Sequence, residues 1–149
     1  MKLDYSRVVG VAAALATLGG FALNGAAAAG GFSLASLNGS YAAIFSGEVP
    51  NGSGSLPMLG TGVFIADGKG HLRGRETYTL GTAVCEAKVS GTYRVEPDGR
   101  GTAALDFTAL TKGCASGSYT QSLVIARRGS LVLLANTNGQ RIEEEWHRQ

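Results

Sequence analysis

The sequence predicts an all-β domain built as a single antiparallel, up-and-down, eight-stranded barrel. Three observations carry that expectation. Apolar and polar residues alternate with the period of two that a half-buried strand requires. Turn residues recur at intervals of about 8–12 residues, the spacing of an all-β meander. Helical periodicity is absent beyond residue 30. A two-sheet β-sandwich is the alternative. Short links between sequential strands and one apolar face favour closure, because a closed sheet has no exposed edge.

The elements follow in order. Leu37-Asn38-Gly39 opens a first strand over 40–47. Residues 48–57 are rich in Gly, Ser and Pro and are expected to form a loop. A second strand covers 59–66, and Asp67-Gly68-Lys69-Gly70 turns the chain into a third over 71–80. The fourth runs over 84–95. Pro97-Asp98-Gly99 then makes a tight turn, since Pro presets φ and Gly accepts positive φ. Strands five to eight are expected over 102–109, 118–126, 131–135 and 141–148.

Alternation names the inner face. It groups Tyr41, Ala43 and Phe45; Leu72, Gly74, Glu76, Tyr78 and Leu80; and Cys85, Ala87, Val89, Gly91, Tyr93 and Val95. It also groups Ala103, Leu105 and Phe107; Tyr119, Gln121, Leu123 and Ile125; and Ile142, Glu144 and Trp146. Phe64 joins them because its hairpin repeats the strand, Asp-Gly turn and strand pattern of residues 90–101. Every aromatic beyond residue 30 except Phe32 then points inward. Val63, Ile65, Val124, Val132 and Leu134 are expected to face outward and to form an apolar outer surface open to self-association.

Residues 1–29 read as a cleaved secretory signal and 30–149 as the barrel domain. Lys2 and Arg7 precede an apolar run over 8–23, and Ala26 to Ala29 supply a small-residue cleavage site after Ala28 or Ala29. The run is shorter than the roughly 20 residues of a membrane span, and Gly10, Gly19 and Gly20 interrupt it. The chain of 149 residues carries 13 basic and 11 acidic side chains, so it lacks the electrostatic footprint of a nucleic-acid binder. No stable membrane span remains after cleavage. The expected location is the periplasm or the exterior of a bacterial cell.

Cys85 and Cys114 are the only cysteines, and an even pair in an exported chain reads as a disulfide. An up-and-down order brings both to one end of the barrel, beside its longer links. Functional loops concentrate at such an end.

Candidate chemistry is sparse. His71 and His147 both fall on the outer register, and no nucleophile signature or metal-ligand spacing is present, so no catalytic residue, metal or cofactor is assigned. Glu143, Glu144 and Glu145 look like a charged edge strand. The exceptions are Glu76 and Glu144, which fall on the inner register with Gln121. Burying a carboxylate is costly unless it is paired or protonated. These three, with Tyr78 and Trp146, form the candidate ligand-binding set.

The stretches Leu37-Asn38-Gly39-Ser40-Tyr41, Phe64 to Gly70 and Gly91 to Gly101, with the two cysteines, resemble a group of small secreted bacterial β proteins to which no activity is assigned. The architecture this implies is similar to lipocalin-like and allene-oxide-cyclase-like barrels. No cyclase active site can be matched here, so no activity is carried over. The expected function is non-enzymatic: a small apolar or amphipathic ligand in the barrel, or a protein partner at the disulfide rim. The alternatives are a structural or interaction protein with a solid core and an oligomeric outer face, and an enzyme using the inward carboxylates.

Overall fold

The computed structural model describes residues 31–149, so the signal peptide expected at 1–29 lies outside the described residues. Eight strands follow one another: β1 (Asn38–Asn51), β2 (Gly54–Asp67), β3 (His71–Leu80), β4 (Ala83–Val95), β5 (Arg100–Ala109), β6 (Gly117–Ala126), β7 (Leu131–Asn136) and β8 (Arg141–Arg148). Each pairs antiparallel with the next. β8 returns to β1 from Tyr41↔Arg148 to Glu48↔Arg141 and closes the barrel. The sandwich alternative falls, and so does the edge-strand reading of Glu143 to Glu145. β8 is hydrogen-bonded on both sides, and its outward glutamates Glu143 and Glu145 stand on a closed wall.

The hairpin links alternate between the two ends. One end carries the turns near 68, 98 and 128 and both ends of the described chain, and it is plugged. Leu34–Ser36 forms a 3-10 turn that sets Leu37 inside the barrel. The Tyr93 hydroxyl lies 2.8 Å from Leu37 O and 3.2 Å from Leu34 O and donates to this turn. Arg148 donates from Nη2 to Ser36 O (3.0 Å) and to the Tyr41 hydroxyl (2.8 Å), and that hydroxyl donates to Gly129 O. Phe32 also contributes: its ring covers Gly99, and it packs against the edge of the core.

Above the plug the interior is solid. Trp146 stacks on Phe64 with ring centroids 4.9 Å apart, among Tyr41, Leu72, Leu105, Leu123 and Val132. Phe64 can lie flat because Gly74 faces it, where an added Cβ would come within 2.5 Å of the ring. Gly60 serves Phe45 in the same way, at 2.3 Å.

Two strand expectations are corrected. Residues 48–57 are not a loop. β1 and β2 pair out to Asn51↔Gly54, and Gly52 turns the chain at φ +59°. Pairing of β1 with β8 ends at Glu48, and pairing of β2 with β3 ends at Met58. The projecting ribbon is therefore edge strand, where Pro50 and Pro57 are tolerated. The second correction concerns β7. Val132 and Leu134 point inward, Val132 with no exposed surface, while Leu133 stands outside at 43%. The run Leu131 to Ala135 is apolar on both faces, so alternation had no polar side to mark its register.

The cysteines are bonded as Cys85–Cys114, with Cα atoms 6.0 Å apart and a separation of 29 in sequence. Pairing of β4 with β5 stops at Ala87↔Ala109, so the bridge ties the overhang of β4 to the 110–116 link. In the chain-entropy picture a loop of this length stabilises by about 3–4 kcal/mol. Unfolding in urea with and without reductant should show a loss on that order. No difference would mean that the overhang holds its place without the bridge.

Candidate functional site

The filled half of the barrel stops at the level of Trp146, and toward the stapled end the interior opens. A cavity of about 330 Å³ lies there. It is roughly twice the ~150 Å³ that accommodates a benzene ring in a dry apolar cavity, and within the range of small-molecule sites.

Strand direction builds its walls. β1 and β2 bring Phe45, Val49 and Met58, β3 brings Tyr78 and Leu80, and β8 brings Ile142. Phe107 and Tyr119 form the far wall, with ring centroids 5.8 Å apart. The mouth is edged by Cys85, Gly113, Cys114 and Ala115. The 110–116 link is held in place there. Leu110 N donates to Glu86 O, Glu86 N to Thr111 Oγ1, and Ala109 N to Ser116 Oγ.

The floor is polar. Glu144 is buried and accepts two hydrogen bonds, from Gln121 Nε2 (2.8 Å) and from the indole Nε1 of Trp146 (2.6 Å). Burial pushes its carboxyl above the usual range, and these two bonds oppose the shift. Glu76 is also buried, and among the described residues no hydrogen bond supports its carboxylate. Burial first, and then the charge of Glu144, push it up to about 7. The Tyr78 and Tyr119 hydroxyls are pushed up as well, by burial first and then by the carboxylates, for Tyr78 that of Glu76. Among the described residues Gln121 Oε1 and Asn136 Oδ1 are buried without a partner, while Asn136 Nδ2 donates to Gln140 Oε1.

Of the residues singled out from sequence, Glu76, Tyr78, Gln121 and Glu144 line this cavity together, with both cysteines at its mouth. Trp146 lies one layer below and holds the floor from beneath through its bond to Glu144. Sequence reasoning missed Asn136, because it read as the first residue of the turn after a strand ending at Ala135, whereas β7 includes it. It missed Val49 because residues 48–57 read as a loop, and Met58 because it fell between that loop and the strand expected from 59. Neither histidine approaches the cavity. His71 contacts Asp67 and His147 contacts Glu145, each at 3.2 Å on the exposed outer wall. Among the described residues no three metal-ligating side chains cluster, and no helix is long and apolar enough to cross a membrane.

The chain matches no family model, no curated protein and no solved structure. Its likeness to lipocalin-like barrels is one of architecture: eight antiparallel strands in sequential order, closed on themselves.

Glu76 gives a pH signature with a definite sign. Between its ordinary value near 4.5 and about 7, the native chain keeps a proton that the unfolded chain has released. Stability therefore falls as pH rises through that window and levels above it. Glu144, raised in the same direction, adds to the fall. Glu76→Gln keeps the shape and removes one titration. It should gain on the order of 2–3 kcal/mol over the parent at about pH 8 and almost nothing near pH 4, read by urea unfolding. An equal difference at both pH values would sink this assignment.

Proposed function

We propose that this protein is a non-enzymatic binding module that works outside the cytoplasm and holds a small amphipathic ligand in the stapled half of its barrel. The observation that carries the reading is the cavity itself, with apolar walls and a mouth above a floor of unpartnered polar atoms. Buried polar atoms without partners are rare in folded proteins, and a ligand is one way to satisfy them. Export is supported by the n-, h- and c-region order of residues 1–29 and by the disulfide. Binding is favoured over acid/base catalysis because both oxygens of Glu144 are already engaged within the fold. That leaves Glu76 without a second free carboxylate to divide the work.

Native mass spectrometry of protein isolated from its own host should reveal a small-molecule adduct that denaturation releases. Protein that carries no adduct, and afterwards takes up no amphiphile of any charge, would overturn the reading.

A separate surface favours self-association as a second property. Ile44, Leu59, Val63 and Ile65 are exposed together on the outer wall of β1 and β2. Glu143 and Glu145 flank them on β8, and Arg73 and Arg75 flank them on β3. A two-fold axis parallel to the strands would pack stripe on stripe and set the acids of one copy against the arginines of the other. Sedimentation equilibrium should show a dimer that Val63→Asp dissociates. A monomer at all concentrations removes this second reading.

A further inference from the structure

The chemistry of the floor narrows the ligand further, and this step rests on the binding reading above. We infer that the cavity takes a primary ammonium amphiphile, its charged head seated against Glu76 and its apolar body directed along the aromatic walls toward the mouth.

The inventory of donors and acceptors carries the argument. The indole N–H of Trp146 is spent on Glu144, and the amide nitrogens of Gln121 and Asn136 are turned toward Glu144 and Gln140. Among the described residues, the oxygens left without a hydrogen bond on residues that line the cavity are all acceptors: the Glu76 carboxylate, Gln121 Oε1 and Asn136 Oδ1. Among the described residues no lysine, arginine or histidine lines the cavity to neutralise either carboxylate. An ammonium group brings three donors and no acceptor, and it supplies the missing positive charge. An alcohol brings one donor and no charge. A fatty carboxylate brings only acceptors and a second negative charge.

The walls agree with this. Phe45, Tyr78, Phe107 and Tyr119 present four aromatic rings around the space, and ring faces attract cations. The ionisable groups facing Glu76 are Glu144 from β8, Tyr78 from its own strand and Tyr119 from β6. Cys85 and Cys114 are bonded to each other and do not titrate. Nothing cationic therefore competes with the ligand for the carboxylate. Because Glu76 sits near 7, a cation must draw off its proton to bind, and binding strengthens as pH rises.

The test uses the full exported chain and three probes of one length: octylammonium, octanol and octanoate. Trp146 is the only tryptophan, and its hydrogen bond to the floor makes its fluorescence a direct reporter beside calorimetry. At about pH 8 octylammonium should bind roughly tenfold or more tightly than either other probe, the ratio expected for one charged hydrogen bond. Its affinity should fall by up to about tenfold per pH unit below 7. Glu76→Gln should cost octylammonium about tenfold and flatten its pH profile. If octanol or octanoate binds as tightly as octylammonium, the ammonium assignment is overturned and the binding module stands. A pH-independent octylammonium affinity in the parent chain overturns it as well. If none of the three probes binds, the binding module itself falls.

Discussion

Trp146 and Gln121 both donate to the carboxylate of Glu144, and that three-membered contact divides the barrel in two. Below it, the indole stacks on Phe64 and the interior is filled to the plug. Above it, the carboxylate faces a void that no side chain fills. A carboxylate cannot be covered by apolar packing without a large desolvation cost. The same contact that anchors the tryptophan thus forbids the core from continuing upward. An eight-stranded barrel has just enough interior for side chains or for one small ligand. Here the height is shared between the two options.

The arrangement has consequences for stability. The plugged half gains from dense packing, where each buried aromatic contributes several kcal/mol, about 3–5 by truncation. The open half has lost those contacts and carries two carboxyl groups that repel each other. Ionising Glu76 beside Glu144 costs stability as pH rises, and a cation entering the void would offset part of that cost. Ligand binding and folding stability would then be linked through one group, Glu76, whose proton is the common currency.

Most of this was legible in the sequence. The alternation that placed Glu76, Tyr78, Gln121 and Glu144 on the inner face is a property of the pleat and needs no tertiary information. Eight sequential strands with short links left few topologies besides the closed meander. What escaped was register where the pattern carries no contrast. Leu131 to Ala135 is apolar on both faces, and a slip of one residue there sent Val132 and Leu134 to the wrong side. The projecting ribbon escaped for a different reason. Pro50, Gly52, Gly54 and Pro57 are turn formers by propensity, but beyond the barrel rim the ribbon has free edges that accept them. Hollowness could not be read at all. Whether inward side chains meet across a barrel depends on strand tilt and on the glycines opposite each ring, and alternation reports neither.

The position of the disulfide follows from this division. In the plugged half, packing and the bonds from Tyr41, Tyr93 and Arg148 tie the entry to β1 and the turn at Gly129 without covalent help. At the open end β4 outruns β5, the 110–116 link crosses the rim, and the interior beneath offers few contacts. Chain entropy would loosen such a segment unless something restrained it. The Cys85–Cys114 bridge supplies that restraint where dispersion cannot, since a void offers its lining no partner atoms. A staple at the rim and a hollow beneath it are therefore two aspects of one design. The first makes the second tolerable, and it leaves the mouth edged by residues as small as Gly113 and Ala115.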